Sequence, residues 1–261
     1  MQCAVIGSPI RHSLSPAMHR AAYAELGLDW TYEAVEVTED GLREFLGALG
    51  DDVRGLSVTA PLKRRLAELI ETQSDDVMRL GVANTLILED GSPMLHNTDV
   101  PGAVNALHEQ GLASITSARI IGGGATSASL AYALSTMGVD DIECVVRDPS
   151  RVVSVSGVHV SVHHIDEPLL DKVDLLVSTV PSDAIGSRSH ELVEASRAVF
   201  DVVYDPWPTA IATAAAQGEL PFVSGIDLLA HQAALQVELM TGSSVSPQVL
   251  RDAALVGLSA R

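Results

Sequence analysis

An α/β fold in two domains is what the 261-residue sequence predicts, and three observations predict it. Short apolar runs rich in Val, Ile and Leu alternate with segments of helical spacing. Two sets of such alternating elements meet near residues 99–103. The second set opens on a run of glycines between a strand and a helix, the start of a βαβ unit.

The elements follow in order. The first strand lies at Cys3 to Ile6. Ser15-Pro16 ahead of MHRAAYAEL reads as a helix start, with Ser15 as the cap and Pro16 in the first turn, where its missing N–H is no loss. Gly27 ends that helix. TYEAVEV alternates as a half-buried strand, DGLREFLGAL returns to helical spacing, LSVTA is a short strand, and a helix follows Pro61. NTLIL, the turn EDGSP and MLHNTD read as a hairpin, after which VPGAVNALHEQG is helical. From about Ser117 the repeat is cleaner: ARIIGGGATSASLAYALSTMG is strand, turn and helix, and DIECVVR the next strand. VHVSVHHI, DLLVSTV and AVFDVVY follow as strands, HELVEASR and TAIATAAAQG as helices, and PFVSG as a short last strand. These strands suit a parallel sheet buried on both faces. IDLLAHQAALQVELM and, after Ser246-Pro247, PQVLRDAALVGL are closing helices.

Composition narrows the function. With 34 acidic and 16 basic residues the formal net charge is −18, which repels a phosphate backbone or an anionic membrane surface, so neither nucleic acid nor membrane is an expected partner. No apolar run is long enough to span a bilayer and no basic segment precedes an apolar leader. The only cysteines, Cys3 and Cys144, lie in apolar segments far apart, so no disulfide framework and no metal site is expected, and a reducing cytoplasm fits. The nine His include the pair His163-His164, whose side chains face opposite sides of a strand and so chelate poorly. Only two lysines occur, Lys63 and Lys172, against 14 arginines, which singles out Lys63 beside Arg64 and Arg65.

Gly122-Gly123-Gly124-Ala125-Thr126-Ser127 offers backbone amides and a helix N-terminus to a pyrophosphate, with Ser127 where a third glycine is usual. At the end of the next strand, Arg147 and Arg151 favour the 2′-phosphate of NADP; Asp148 either accepts from a ribose hydroxyl, as NAD would require, or caps its own turn. In the first half, Ser13 and Ser15, Thr59 with Lys63, Asn84, and Asn97-Thr98-Asp99 fall near strand ends, where open α/β sheets bind ligands. A cationic Lys beside a carboxylate can exchange a proton with an alcohol or carbonyl, as carbonyl reduction requires. Each also has a local alternative: Ser15 and Asp99 as helix caps, Ser13 and Thr59 bonding loop amides, Asn84 holding a turn.

The stretches VIGSPIRHSLSPAMH, GLSVTAPLK, GVANTL, HNTDVPG, the glycine turn, DVVYDPWPT and GIDLLAHQAA, in this order, resemble the shikimate dehydrogenase family over nearly the whole chain. The resemblance implies a substrate domain from residues 1–101 and 236–261, a Rossmann-like NADP domain from 102–235, and an active site in the cleft. It implies NADPH-dependent reversible reduction of 3-dehydroshikimate to shikimate, a step of chorismate and aromatic amino-acid biosynthesis, by a monomer or homodimer. By motif position, Lys63 and Asp99 would be the catalytic pair, Ser13 and Ser15 would bind the substrate carboxylate, and Thr59, Asn84 and Gln232 the ring hydroxyls. Tyr204 and Gly225 would lie near substrate and nicotinamide. The chain departs from the family pattern at Ser57, usually Asn, at Val146-Arg147-Asp148 and at Ser178-Thr179-Val180-Pro181. Two rivals remain: an NAD-using quinate/shikimate dehydrogenase, motivated by Asp148 and Ser57, and a non-catalytic dinucleotide sensor of the same fold.

Overall fold

β1 (Gln2–Gly7) is the strand on which the first half of the chain is organised. Its alternating side chains serve two cores: Cys3 and Val5 join Tyr23, Tyr32 and Met240 on one face, and Ile6 joins Val58, Leu62 and Leu66 on the other. The computed structural model that shows this describes residues 1–89, 92–168 and 171–260.

α1 (Ser15–Glu25) follows, with one correction to the sequence reading. The capping position belongs to Leu14, which has no side-chain cap bond; Ser15 is already helical, and its N–H donates to Ser13 Oγ at 3.3 Å. Gly27 ends the helix at φ +67°, with Leu28 N–H returning to Tyr23 O at 2.8 Å. β2 (Thr31–Glu36) is an edge strand and so buries only Tyr32 completely. α2 (Leu42–Gly47), β3 (Val53–Val58) and α3 (Leu62–Leu69) come next, α3 burying Leu62 and Leu66 on one stripe. α4 (Asp75–Leu80) is a helix that the hydrophobic spacing does not announce, being only six residues long. Its ends are nevertheless well specified: Ser74 accepts from Val77 N–H, and Gly81 closes it at φ +61°.

β4 (Thr85–Glu89) and β5 (Ser92–His96) pair antiparallel; Asp90 and Gly91 of the expected turn lie outside the described residues. The sheet order is β2-β1-β3-β4-β5, parallel from β2 to β3 and antiparallel beyond. That topology brings the carboxyl ends of β1, β3 and β5 and the start of β4 to one edge of the sheet. α5 (Asp99–Glu109) leaves from the same edge.

The second half is β6 (Ser117–Ile121), α6 (Ala125–Thr136), β7 (Asp141–Val146), β8 (Ser161–His164), β9 (Val173–Ser178), α7 (Ser182–Ile185), α8 (Ser189–Glu194), β10 (Ser196–Asp201), α9 (Ala210–Gln217) and β11 (Phe222–Ser224). All six strands are parallel, in the order β11-β10-β9-β6-β7-β8. The order reverses between β6 and β9, the switch point at which such sheets bind dinucleotides. α10 (Gly225–Thr241) and α11 (Pro247–Ser259) complete the chain.

Two compact units result, Met1–Gly102 with Leu229–Arg261, and Ala103–Leu228. The second division falls inside α10 at 228/229 rather than at 235/236, because residues from Leu229 onward, Gln232 among them, pack with the first unit. Among the described residues no helix is long and apolar enough to cross a membrane, and no group of three potential metal ligands occurs. His163 and His164 bond instead to Glu167 and Asp166.

Gly102 is where α5 meets α10: a Cβ there would lie 2.9 Å from both the backbone N and the Cβ of Gln232. Gly102→Ala is therefore expected to cost roughly 1–3 kcal/mol through overpacking. Gly47→Ala, where nothing lies within 4 Å, is expected to cost nothing. Denaturant unfolding of the two variants compares them, and equal midpoints would contradict the packing argument.

Candidate active site

Lys63 lies in the first turn of α3, where the chain leaves β3. Its Nζ donates to Asp99 Oδ2 at 2.6 Å, with side chains 13% and 8% exposed. Asp99 opens α5, yet it is not the residue that caps it. Asn97 Oδ1 accepts the N–H groups of Asp99 (3.0 Å) and Val100 (3.3 Å), which leaves the Asp99 carboxylate for other partners.

Asn84, just before β4, supplies the second partner. Its Nδ2 donates to Asp99 Oδ1 at 2.9 Å and to Thr98 Oγ1 at 2.9 Å. Its Oδ1 accepts Thr98 N–H at 2.8 Å; a backbone N–H can only donate, so the amide orientation is fixed. Both oxygens of Asp99 thus carry a donor, the ammonium on one and the amide on the other. Gln232 joins from α10, its Oε1 3.4 Å from both Asn84 Nδ2 and Thr98 Oγ1, while its Nε2 donates to Leu229 O.

Lys63, Asp99, Asn84 and Gln232 therefore form one hydrogen-bonded group. Ser13 and Ser15 bond to each other beyond the end of β1, and Thr59 follows β3, its N–H on Ile6 O at 2.9 Å. Thr59 thus stands at the strand ends from which Lys63 departs, while Ser13 and Ser15 bond within their own segment. Thr98, which the sequence offers only as part of the Asn97-Thr98-Asp99 cluster, joins the group through its two bonds to Asn84. Ser57, which departs from the family pattern, is buried between Tyr32 OH (2.6 Å) and Gln236 Oε1 (2.7 Å).

The second unit holds the glycine turn. Gly122 has φ +114°, and a Cβ on it would overlap Thr179 Oγ1; on Gly123 it would press against Val152 at 3.0 Å. Gly124, at the N-terminus of α6, has open space around it and no side-chain cap, so the amides of Ala125 and Thr126 face outward at the positive end of the helix dipole. Ser127 fills the third-glycine position by bonding Thr179 Oγ1 at 2.7 Å. A cavity of about 240 Å³ is lined by Gly122, Gly123, Gly124, Arg147, Asp148 and Arg151 among others. The turn amides and the two guanidinium groups on its lining are donors of the kind the phosphates of a dinucleotide require. Asp148 Oδ1 accepts from Ser150 N (3.1 Å) and Oγ (2.6 Å), bonds that hold its carboxyl below the usual range and make it the cap of its own turn. Tyr204, half-buried, and Gly225, where a Cβ would overlap Val202 O, belong to this unit too.

Comparison with known proteins gives a consistent picture. Residues 5–86 match the family model described as "Shikimate dehydrogenase substrate binding domain", and residues 225–255 that described as "Shikimate 5'-dehydrogenase C-terminal domain". A Methanopyrus kandleri protein named "Shikimate dehydrogenase (NADP(+))" is 33% identical, covering 96% of this chain and 93% of its own. Among solved structures, Mycobacterium tuberculosis shikimate dehydrogenase superposes with a TM-score of 0.89 at 33% identity, over 98% of this chain and 99% of that one. The Thermus thermophilus shikimate 5-dehydrogenase, solved in complex with NADP(H) and shikimate, gives 0.87 at 30%, over 98% and 99%.

A double-mutant cycle on unfolding free energy tests the buried pair. Lys63→Met and Asp99→Asn are expected to couple by roughly 1–3 kcal/mol, with Lys63→Met the costlier single change because it strands a carboxylate without its cation. Strict additivity would mean that the two side chains do not interact in solution.

Proposed function

The chain belongs to the shikimate dehydrogenase family, and we propose from that premise which of its residues perform the NADP(H)-dependent interconversion of 3-dehydroshikimate and shikimate. The observation that carries the assignment is the 2.6 Å contact of Lys63 with Asp99, buttressed on the second carboxylate oxygen by Asn84.

Bound NADPH supplies the hydride that reduces the ring carbonyl. Lys63 does the accompanying proton work: its ammonium has three hydrogens, one held by Asp99, and the others are free in direction to reach the carbonyl oxygen and protonate the forming alkoxide. Asp99 fixes where that ammonium sits and accepts from the neighbouring ring hydroxyl. In the oxidative direction the same pair takes the alcohol proton away. Because oxidation releases a proton to solvent, rising pH favours it.

Ser13 and Ser15, hydroxyl donors at the N-terminus of α1, hold the substrate carboxylate; Thr59 and Gln232 hold ring hydroxyls. Asn84 contributes to the ring by exchanging its Thr98 bond for a substrate hydroxyl, while its bond to Asp99 persists. The unit of residues 1–102 and 229–261 is thus the substrate domain, and that of 103–228 the NADP domain. There the glycine turn with Ala125 and Thr126 takes the pyrophosphate, Tyr204 and Gly225 are assigned to substrate and nicotinamide by motif position, and Arg147 with Arg151 takes the 2′-phosphate. Asp148 is engaged with Ser150 and Ser57 with buried neighbours, so the two features that motivated an NAD-using rival have local explanations.

Initial rates of shikimate oxidation with NADP and NAD in parallel test the assignment. The wild type is expected to prefer NADP. Arg147→Ala is expected to raise KM for NADP about tenfold or more while leaving KM for NAD within about twofold. An equal loss with both cofactors would remove Arg147 from the 2′-phosphate.

A further inference from the structure

Gln236 lies one helical turn beyond Gln232 on the same face of α10 and is 1% exposed. Every position of its amide is engaged. Oε1 accepts from Ser57 Oγ at 2.7 Å and from His19 Nε2 at 3.3 Å; Nε2 donates to Asn84 O at 3.1 Å and to Thr85 Oγ1 at 2.9 Å. The orientation is unambiguous, since a peptide carbonyl can only accept. His19 must then carry its hydrogen on Nε2, and burial keeps it neutral, its pKa pushed down to about 3.

The consequence runs toward the carboxylate. With Gln236 donating to Thr85 Oγ1, the Thr85 hydroxyl hydrogen turns to Asn84 Oδ1 at 2.8 Å. Asn84 then offers Nδ2 to Asp99, and Lys63 closes the series on the other carboxylate oxygen. From His19 through Gln236, Thr85 and Asn84 every donor points toward Asp99, and hydrogen bonds aligned in series polarise one another. A second branch enters at Gln236 from Tyr32 through Ser57. Gln232 touches the side-chain amide of Asn84 and Gln236 its peptide carbonyl, so one helix grips the residue at both ends.

We propose that Gln236 is a positioning residue for the proton transfer, setting the Asn84 amide, and through it the Asp99 carboxylate, by way of the Thr85 hydroxyl. The inference rests on the roles given above to Lys63 and Asp99. It distinguishes Gln236 from a buried amide that merely ties α10 to the sheet.

The test uses the full-length enzyme with NADP and shikimate, and four variants: Gln236→Met, Thr85→Val, Thr85→Ser, and Gln236→Met with Thr85→Val. The first two are each expected to lower kcat about tenfold with KM for NADP unchanged, and Thr85→Ser to restore the wild-type rate. The double variant is expected to be no slower than the slower single one, because both changes break one series. Unchanged kcat in Thr85→Val, or losses that multiply in the double variant, would overturn the proposal. Should Gln236→Met fail to fold, the Thr85→Val and Thr85→Ser pair decides alone. A wild type that does not oxidise shikimate would refute the roles of Lys63 and Asp99 instead, so the two failures are told apart.

Discussion

Withdrawing a carboxylate and an ammonium from water costs several kcal/mol each unless they meet closely and every remaining lone pair finds a donor. Lys63 and Asp99 meet at 2.6 Å with little of either side chain exposed, and much of the first unit answers the requirement that follows. Asn97 takes over the capping of α5 so that Asp99 can turn to Lys63. Asn84 gives the carboxylate its second donor, and Thr98 fixes the Asn84 amide. The mixed sheet makes this possible, because only with β4 antiparallel to β3 does Asn84 arrive at the edge from which Lys63 departs.

How far the sequence discloses this arrangement depends on the range of the interaction involved. Strands such as β9 are legible because burial on both faces favours apolar runs such as Leu175-Leu176-Val177, whereas β6 admits the buried Arg119 only because it is paired with Glu143. The glycine turn is legible because a Cβ at Gly122 would overlap Thr179, so the residue type itself reports the close approach. Helix ends are harder. Ser15 looks like a cap and is already in the helix; Asp99 looks like one and leaves the task to Asn97. Which of two neighbouring polar residues caps is decided by one residue's backbone angles, and composition does not encode those. α4 shows the same limit, since six residues present too few turns for periodicity to register.

The site itself is named by motifs of a resembling family, and geometry then sorts its members. Lys63, Asp99, Asn84 and Gln232 fall into one bonded group although they come from four separate stretches of chain. Gln236 is invisible by any such route, because a glutamine inside an amphipathic helix carries no mark of its four partners. Asp148 illustrates the converse: beside Arg147 it suggests a ribose ligand, and only its bonds to Ser150 reveal a residue occupied with its own turn.

Rapid mixing of NADPH and 3-dehydroshikimate with the Lys63→Ala enzyme, followed by nicotinamide absorbance, addresses the central claim that Lys63 supplies the proton. The account predicts a hydride-transfer rate lower by about 10²–10⁴-fold, the range for loss of a general acid, with NADPH affinity within about twofold of wild type. A rate close to wild type would contradict it, and so would a loss of turnover explained entirely by weakened NADPH binding.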